Sequence, residues 1–310
     1  MLGSVDLLQP KQPFPSLFET IGNTPLVRLE SVTETLPQGV ELWAKLEYSN
    51  PGGSIKDRPA RQIVQDAFAS GALTCEKTLI DATSGNTGIA YAMLGAALGI
   101  EVHLVMPENV SHARRQLVEA YGAKIIYSSS LEGSDGAIRL VRELVLQDDG
   151  DRYFYADQYS NPSNPRAHQE TTAAEIWSQT RGRVTHFVTC IGTSGTIVGT
   201  GRGLKQFDPG IQVIGGQPSD SFHGLEGLKH LESSIVPSVF DSGVLDDMVF
   251  VDTEDGWDMA EALARREGFA VGNSSGANVH AALQVASKLS SGVVVTILCD
   301  HADRYVGEFL

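Results

Sequence analysis

Short apolar runs alternate along the chain with segments whose apolar residues recur at helical spacing. The runs are rich in valine, isoleucine and leucine, which is typical of buried strands. Strands are predicted at residues 41–48, 78–82, 102–106, 124–127, 185–191, 212–215, 248–251 and 293–298, and helices at residues 60–72, 89–98, 112–121, 133–146, 167–180, 196–207, 257–266 and 276–289. Strands that alternate with helices predict parallel sheets covered on both faces and joined by right-handed crossovers. The predicted fold class is therefore α/β.

The composition disfavours several classes of protein. Of the 310 residues, 42% are hydrophobic and 20% are charged, which is ordinary for a globular chain long enough to form two domains. A formal net charge of −15 argues against a nucleic-acid surface, because phosphate binding needs clustered lysine and arginine. No apolar stretch is long enough to span a membrane, and the first residues do not have the pattern of a secretory signal, so we expect neither insertion nor export.

The cysteines and histidines add a prediction about location and metal binding. Cys75, Cys190 and Cys299 lie far apart in the sequence and show no C-x-x-C spacing. This pattern favours a reducing, cytoplasmic location and disfavours both a disulfide framework and a structural zinc site. The eight histidines show no metal-ligand spacing either, so no metal is predicted.

Residues 50–58 read NPGGSIKDR and contain the first candidate for catalysis, Lys56. Two glycines allow the backbone to turn sharply before this lysine, and Asp57 and Pro59 are typical of a helix start. An amine projected from such a turn can be desolvated, which makes it a nucleophile toward a carbonyl carbon. On this segment alone, an ordinary solvated loop lysine is the alternative.

Three loops rich in glycine and hydroxyl groups lie at predicted helix starts. Residues 83–88, TSGNTG, offer hydroxyls, an amide and backbone N–H groups, which suit a carboxylate or a phosphate. Residues 192–196, GTSGT, suit a phosphate held by backbone amides, and no lysine completes a Walker pattern there. Residues 272–276, GNSSG, also precede a helix. Helix capping is the alternative for any single hydroxyl, but ligands of open parallel sheets bind at such strand-to-helix loops.

A Schiff-base lysine, a phosphate loop and a carboxylate loop together suggest pyridoxal phosphate, an amino-acid substrate and chemistry at its α and β carbons. On these motifs the chain resembles the fold-type II pyridoxal-phosphate enzymes, and among them the cysteine synthase (O-acetylserine sulfhydrylase) family. The resemblance extends from residues 21–27, IGNTPLV, to residues 303–305, DRY, and four motifs occur in the order of the family.

The resemblance implies a role for each candidate residue. Lys56 would form the Schiff base with the cofactor and shuttle the proton, Asn86 would hydrogen-bond the 3′ oxygen of the cofactor, and Ser274 would face its pyridine nitrogen. The cofactor phosphate would be held by Gly192, Thr193, Ser194, Gly195 and Thr196. The substrate carboxylate would be held by Thr83, Ser84, Gly85, Thr87 and Gln158. A neutral hydroxyl at the pyridine nitrogen favours β-elimination to an α-aminoacrylate, to which a sulfur nucleophile adds.

The resemblance also implies the architecture and the partners. Two domains are expected, each a mostly parallel twisted sheet covered by helices as in the β subunit of tryptophan synthase, with the active site in the cleft between them. Residues 1–45 and 156–310 would form the larger, phosphate-binding domain, and residues 46–155 a smaller mobile domain that carries the carboxylate loop. The expected partners are small-molecule substrates and a second copy of the chain in a homodimer, with no nucleic acid and no membrane.

Several residues resemble the B-type branch of the family. The phosphate loop has Ser194 where the commoner branch has glycine, and Cys299 stands where the A type commonly has proline. Lys229, with His230, falls where B-type members often place basic residues, so it could attract an anionic sulfur donor; a solvated surface lysine is the alternative. Cys299 could lie beside the cofactor or be a buried structural thiol.

The predicted reaction is β-replacement, which makes L-cysteine or S-sulfocysteine from an O-activated L-serine. The sulfur donor would be sulfide, thiosulfate or a protein thiocarboxylate. The same scaffold supports cystathionine β-synthase and serine or threonine dehydratases, and neither a haem-binding nor a regulatory extension is visible in the sequence. A further alternative is a non-catalytic partner that binds an acetyltransferase, which the presence of Lys56 disfavours.

Overall fold

The structure, a computed structural model of the 310-residue chain, describes residues 14, 16–83, 85–150 and 152–305. In these ranges the strands are β1 Leu26–Arg28, β2 Gly39–Leu46, β3 Thr78–Ala82, β4 Val102–Pro107, β5 Lys124–Ser128, β6 Tyr153–Tyr155, β7 His186–Cys190, β8 Gln212–Pro218, β9 Asp247–Val251 and β10 Ser291–Leu298. The α-helices are α1 Asp57–Ser70, α2 Asn86–Leu98, α3 His112–Ala120, α4 Gly133–Leu146, α5 Ser163–Ala167, α6 Ala173–Gln179, α7 Gly195–Phe207, α8 Thr253–Ala262 and α9 Asn273–Ala286.

The strands form two separate sheets. The larger sheet has the order β1-β2-β10-β7-β8-β9, and its strands are parallel except for β1, which pairs antiparallel with β2. The smaller sheet has the order β5-β4-β3-β6 and is parallel throughout. The prediction of an α/β fold with two mostly parallel sheets is therefore confirmed.

Both sheets are covered by helices because their central strands are apolar on both faces. Every residue of β3 and of β4 is buried. On one side of the smaller sheet runs α2, a helix of small and apolar residues such as Ile89, Tyr91 and Leu94, all fully buried. The larger sheet packs against α8 and α9 on one face and against α6 and α7 on the other. A continuous apolar strand needs such cover on both faces.

Two strands and one helix break differ from the sequence prediction. β1 and β6 were not predicted, because three residues at the edge of a sheet produce no detectable period. The helix predicted at residues 167–180 is interrupted by a π-helical turn, His168–Thr172, which lies between α5 and α6. The chain leaves the smaller sheet only after β6, which pairs with β3.

A row of glycines on α7 brings this helix unusually close to α5 and α6. Gly195, Gly199 and Gly203 recur at every fourth position, so they lie on one face. A Cβ atom at Gly199 would overlap the carbonyl of Pro165, and one at Gly203 would lie 2.5 Å from the Cβ of Ala173. These glycines therefore allow close packing of the helices.

Candidate active site

A cleft open to solvent lies where loops that follow β3, β6, β7 and β10 meet. Its lining includes most of the predicted site residues: Lys56, Thr83, Gly85, Asn86, Thr87, Gln158, Gly192, Thr193, Ser194, Thr196 and Ser274. Gly195 lies between two of these residues as the first residue of α7. Ser84 lies outside the described residues. In the part of the chain that the structure describes, no group of three or more His, Cys, Asp or Glu side chains could hold a metal ion, and no helix is long and apolar enough to cross a membrane.

Lys56 immediately precedes α1, at the end of a turn that is anchored at both sides. Gly53 has a φ of 78°, and a Cβ atom at Gly52 would overlap the carboxylate of Asp57, so both glycines are required by the turn. The N–H of Gly52 donates to Asp57 Oδ2 at 2.5 Å, and burial raises the pKa of Asp57 to about 7. The N–H of Ile55 donates to the carbonyl of Cys299 at 2.9 Å. The turn therefore places Lys56 at the carboxyl end of β10.

The start of α7 has the features of a phosphate site. Ser194 precedes the helix with a φ of 70° and makes no capping hydrogen bond with its side chain, so the first N–H groups of α7 have no acceptor within the helix. Ser194 Oγ is buried and has no hydrogen-bond partner among the described residues. A Cβ atom at Gly192 would overlap the carbonyl of Gly227, so a residue with a side chain does not fit at this position. An anion with several oxygens, such as the phosphate of pyridoxal phosphate, fits these donors.

A histidine supports the same loop from behind. His168 lies in the π-helical turn, with Nε2 3.4 Å from Thr196 Oγ1 and Nδ1 3.0 Å from Thr172 Oγ1. Burial lowers the pKa of His168 to about 3, so the imidazole is neutral. This histidine therefore orients a hydroxyl of the phosphate loop and adds no charge to it.

Around the start of α2, Thr83 and Gln158 keep donors available because their oxygen atoms already accept hydrogen bonds. Thr83 Oγ1 accepts from the N–H groups of Gly85 and Gly88, each at 3.2 Å, so its own proton can be donated to a ligand. Thr87 Oγ1 donates to Gln158 Oε1 at 2.9 Å, which leaves the NH₂ group of Gln158 as a donor. These donors at the N-terminus of α2 suit a carboxylate.

The end of β10 and the first turn of α9 form another part of the cleft lining. Ser274 is buried in that first turn, and Asn86 Nδ2 donates to Asp300 Oδ2 at 2.6 Å. Cys299 lines the cleft and its Sγ accepts from Asn278 Nδ2 at 3.2 Å. Burial raises the pKa of Cys299 to about 11, so the group is a thiol at neutral pH. Cys299 therefore lines the cleft as a hydrogen-bonded thiol, which is unreactive because the thiolate is the nucleophilic form.

Lys229 is buried, which decides against one of its two sequence interpretations and leaves the other untested. Its side chain is not among the cleft residues, and Lys229 is only 6% exposed, so the solvated-surface alternative is wrong. Its Nζ lies 3.2 Å from Asp135 Oδ1 on α4 and 5.3 Å from the ring centroid of Tyr159. The pairing follows from burial, because an ammonium group removed from water needs a counter-charge. Binding of a sulfur donor by Lys229 stays a prediction.

Sequence reasoning missed four residues that line the cleft. Arg114, on α3, is 4% exposed and forms a two-pronged ion pair with Glu226, with Nη2 donating to Oε2 at 3.1 Å. Its guanidinium carbon lies 4.9 Å from the ring centroid of Tyr305, and the hydroxyl of Tyr305 donates to Asp300 Oδ2 at 2.7 Å. Nothing in the local sequence marks these residues, because the partners of each pair are far apart in the chain or belong to different loops.

Comparison with known proteins agrees with the geometry of the cleft. The sequence profile of the family described as pyridoxal-phosphate dependent enzyme matches residues 17–300. A cysteine synthase of Aquifex aeolicus is 53% identical over 296 residues, covering 94% of this chain and 90% of the relative. Cysteine synthase B of Escherichia coli is 40% identical over 291 residues, covering 94% of each chain. A solved cysteine synthase from Entamoeba histolytica superimposes with a TM-score of 0.90 at 35% identity, covering 99% of this chain and 93% of that chain. The resemblance read from the motifs is thereby confirmed: this chain belongs to the family of pyridoxal-phosphate dependent enzymes, and within it to the cysteine synthases.

Proposed function

We propose that the chain catalyses β-replacement on an O-activated L-serine such as O-acetylserine, forming L-cysteine, or S-sulfocysteine when thiosulfate is the donor. One juxtaposition carries the proposal: the turn that bears Lys56, the start of α7 and the hydroxyl-rich loop before α2 line a single cleft. An amine, a phosphate cradle and a carboxylate cradle in one cavity are what an amino acid bound to pyridoxal phosphate requires.

Each part of the cleft would have a separate task. Bound pyridoxal phosphate supplies an electron-withdrawing ring that acidifies the α carbon of the amino acid. Lys56 Nζ would take the α proton and later return it. The N–H groups at the start of α7 would hold the phosphate, and Ser274, being neutral, would leave the pyridine nitrogen unprotonated. An unprotonated ring is a weaker electron sink, which favours prompt departure of the β substituent.

The substrate carboxylate would be gripped by the loop before α2. The free protons of Thr83 and of the Gln158 amide point to an acceptor-only ligand, because the oxygen atoms of both groups already accept hydrogen bonds. Thr87 fixes Gln158 through the 2.9 Å bond between them. Ser84 and Gly85 follow Thr83 in the sequence and are proposed to contact the same carboxylate, although the N–H of Gly85 already donates to Thr83 Oγ1.

The choice of sulfur donor would depend on Lys229. In the structure Asp135 already neutralises this lysine, so an anionic donor would have to compete with a partly buried carboxylate for it. We expect Lys229→Ala to lower kcat/KM for thiosulfate and to leave kcat/KM for sulfide unchanged. Asp135→Asn, the matched variant, should improve use of thiosulfate. If both variants leave both donors unaffected, Lys229 has no part in donor choice.

A titration of the purified holoenzyme with O-acetylserine tests the proposed reaction. The visible absorption of the bound cofactor should change on addition of O-acetylserine and return when sulfide or thiosulfate is added, with cysteine or S-sulfocysteine as product. Lys56→Ala should lose both the absorption change and turnover, whereas Lys77→Ala, at a half-buried lysine that donates to the carbonyl of Gly150 and is not part of the cleft lining, should keep them. Release of a keto acid would identify a dehydratase instead, and an active Lys56→Ala enzyme would refute the assignment.

Three coarser predictions belong with this proposal. Residues 46–155 are proposed to close over residues 1–45 and 156–310 when substrate binds, since the carboxylate loop opens α2 of the smaller sheet. Small-angle scattering that substrate leaves unchanged would contradict this closure. A homodimer and a cytoplasmic location remain predictions, the first to be checked by light scattering and the second by fractionation.

A further inference from the structure

One residue connects three of the loops that form the cleft. Asp300 follows β10, and its backbone forms an isolated antiparallel bridge with Ser54, two residues before Lys56. Its carbonyl accepts from the N–H of Gly272, two residues before Ser274, at 3.3 Å. Its carboxylate accepts from Asn86 Nδ2 at 2.6 Å. Asp300 is thus bonded to the lysine turn, to the loop before α9 and to the loop before α2.

The carboxylate of Asp300 is held in a defined orientation. Asp300 is 1% exposed, and Oδ2 accepts from both Asn86 and the hydroxyl of Tyr305, the latter at 2.7 Å. The other oxygen, Oδ1, is buried with no hydrogen-bond partner in the described ranges and lies where a Cβ atom at Gly272 would overlap it. Burial raises the pKa of Asp300, and the hydrogen bonds from Tyr305 and Asn86 lower it in part. A buried carboxylate with one oxygen unsatisfied is costly, and such a cost points to a role other than packing.

We propose that Asp300 is a positioning residue that fixes the amide of Asn86 against the cofactor through the bond between Asp300 Oδ2 and Asn86 Nδ2. The inference rests on the proposed place of Asn86 beside the 3′ oxygen of pyridoxal phosphate. Asn86 Nδ2 has a second N–H that Asp300 does not use, and Asn86 Oδ1 is buried without a partner among the described residues. With one N–H bonded to Asp300, the amide plane can no longer flip, so the second N–H is directed to a ligand.

A double-mutant cycle on cofactor binding tests this role. The apo forms of the parent, Asp300→Ala, Asn86→Ala and the double variant are titrated with pyridoxal phosphate, and the visible spectrum is recorded at saturation. Loss of a hydrogen bond to a charged group weakens binding by about tenfold or more, so Asp300→Ala should raise the apparent dissociation constant by at least that factor and move the absorption maximum. The double variant should bind no worse than Asn86→Ala alone, because Asp300 acts through Asn86.

Two controls separate positioning from mere structural support. Asp300→Asn keeps a side-chain oxygen for Asn86 and should recover much of the affinity. Asp246→Asn alters a carboxylate that is not part of the cleft lining and that accepts from the N–H of Val213, so it should leave the dissociation constant and the spectrum unchanged. If Asp300→Ala does not fold, the cycle is run with Asp300→Leu, whose side chain is branched like that of aspartate but offers no acceptor to Asn86.

The inference is overturned if Asp300→Ala binds pyridoxal phosphate within twofold of the parent with the same spectrum, or if the losses from Asp300→Ala and Asn86→Ala multiply in the double variant. Multiplied losses would mean that Asp300 only supports the fold. Neither readout involves serine derivatives or sulfur donors, so a failure here is distinct from a failure of the proposed reaction.

Discussion

Replacing Arg58 with methionine should destabilise the protein more than replacing any surface arginine. Arg58 is 1% exposed, and its guanidinium donates to both oxygens of Glu47, at 2.7 and 2.8 Å, and to both oxygens of Glu175, at 2.7 Å each. Glu47 is itself fully buried. Burial opposes the ionisation of Glu175, but the hydrogen bonds and charge of Arg58 hold the pKa of Glu175 at about 2. Arg58→Met keeps most of the side-chain volume and removes the charge that both carboxylates share.

The cost can be worked from these contacts. Removing one partner of a buried ion pair leaves an uncompensated charge and costs roughly 3–5 kcal/mol. For a chain of this size, each kcal/mol of lost stability lowers the midpoint of thermal unfolding by about 2 °C, so Arg58→Met should lower that midpoint by about 6–10 °C. Because Arg58 lies two residues after Lys56, retention of the cofactor should weaken in parallel.

Differential scanning fluorimetry of the holoenzyme measures the effect, with Arg183→Met as the matched control. Arg183 pairs with Glu41 on the surface, with half of its side chain exposed, so its replacement should leave the midpoint nearly unchanged. Adding Glu47→Gln to Arg58→Met should restore part of the loss, since the stranded charge is then removed. Equal shifts for Arg58→Met and Arg183→Met, or no recovery with Glu47→Gln, would refute the reasoning.

Three further predictions concern pH, the cofactor and the substrate. Burial raises the pKa of Asp81 from 3.8 to about 7, so the folded chain keeps a proton that the unfolded chain loses, and the free energy of unfolding should fall as pH rises from about 4 to about 7. Asp81→Asn should reduce the change of the urea unfolding midpoint with pH over that window. The same pH dependence in the parent and the variant would contradict this. Gly195→Ala places a methyl group into the amide of Asn164 and should weaken pyridoxal-phosphate binding about tenfold or more. Gly210→Ala, whose methyl group would meet only the side chain of Asp208, should bind the cofactor normally. Equal affinities of the two variants would refute the packing argument. Thr87→Val removes the buried hydrogen bond to Gln158 and should raise the dissociation constant for O-acetylserine about tenfold, with the affinity for the cofactor unchanged. Thr87→Ser keeps the hydroxyl and should bind O-acetylserine as the parent does. A weakened cofactor affinity in Thr87→Val would contradict a role in substrate binding.

The parts of the site that the sequence predicts well are the loops whose chemistry is local. The glycine pair before Lys56 and the hydroxyls of residues 83–88 and 192–196 each form a compact motif at a strand-to-helix turn. Parallel sheets bring the carboxyl ends of their strands to one edge, so local motifs at those ends meet in space without any further information. The cleft that these motifs line is the outcome.

The parts that the sequence does not predict depend on pairing over long distances. Asn86 and Asp300 are 214 residues apart, and Arg114 and Glu226 are 112 residues apart. No periodicity links such residues, because each pairing is set by how two sheets and several loops pack together. The interpretation of Lys229 illustrates this limit: a basic residue near the site is visible in the sequence, but the carboxylate that Asp135 brings to it from α4 is not.

The glycine row of α7 also determines which wall of the cleft can move. Gly199 and Gly203 lie against the backbone carbonyls of Pro165 and Gln169, so at these two positions α7 has no side chain that could re-pack if the helix rotated or slid. The proposed phosphate site at the start of α7 should therefore stay fixed during turnover, and any motion should be confined to the loops that face it. For protein engineering, this makes α7 the place to anchor a new ligand and the opposing loops the place to alter selectivity.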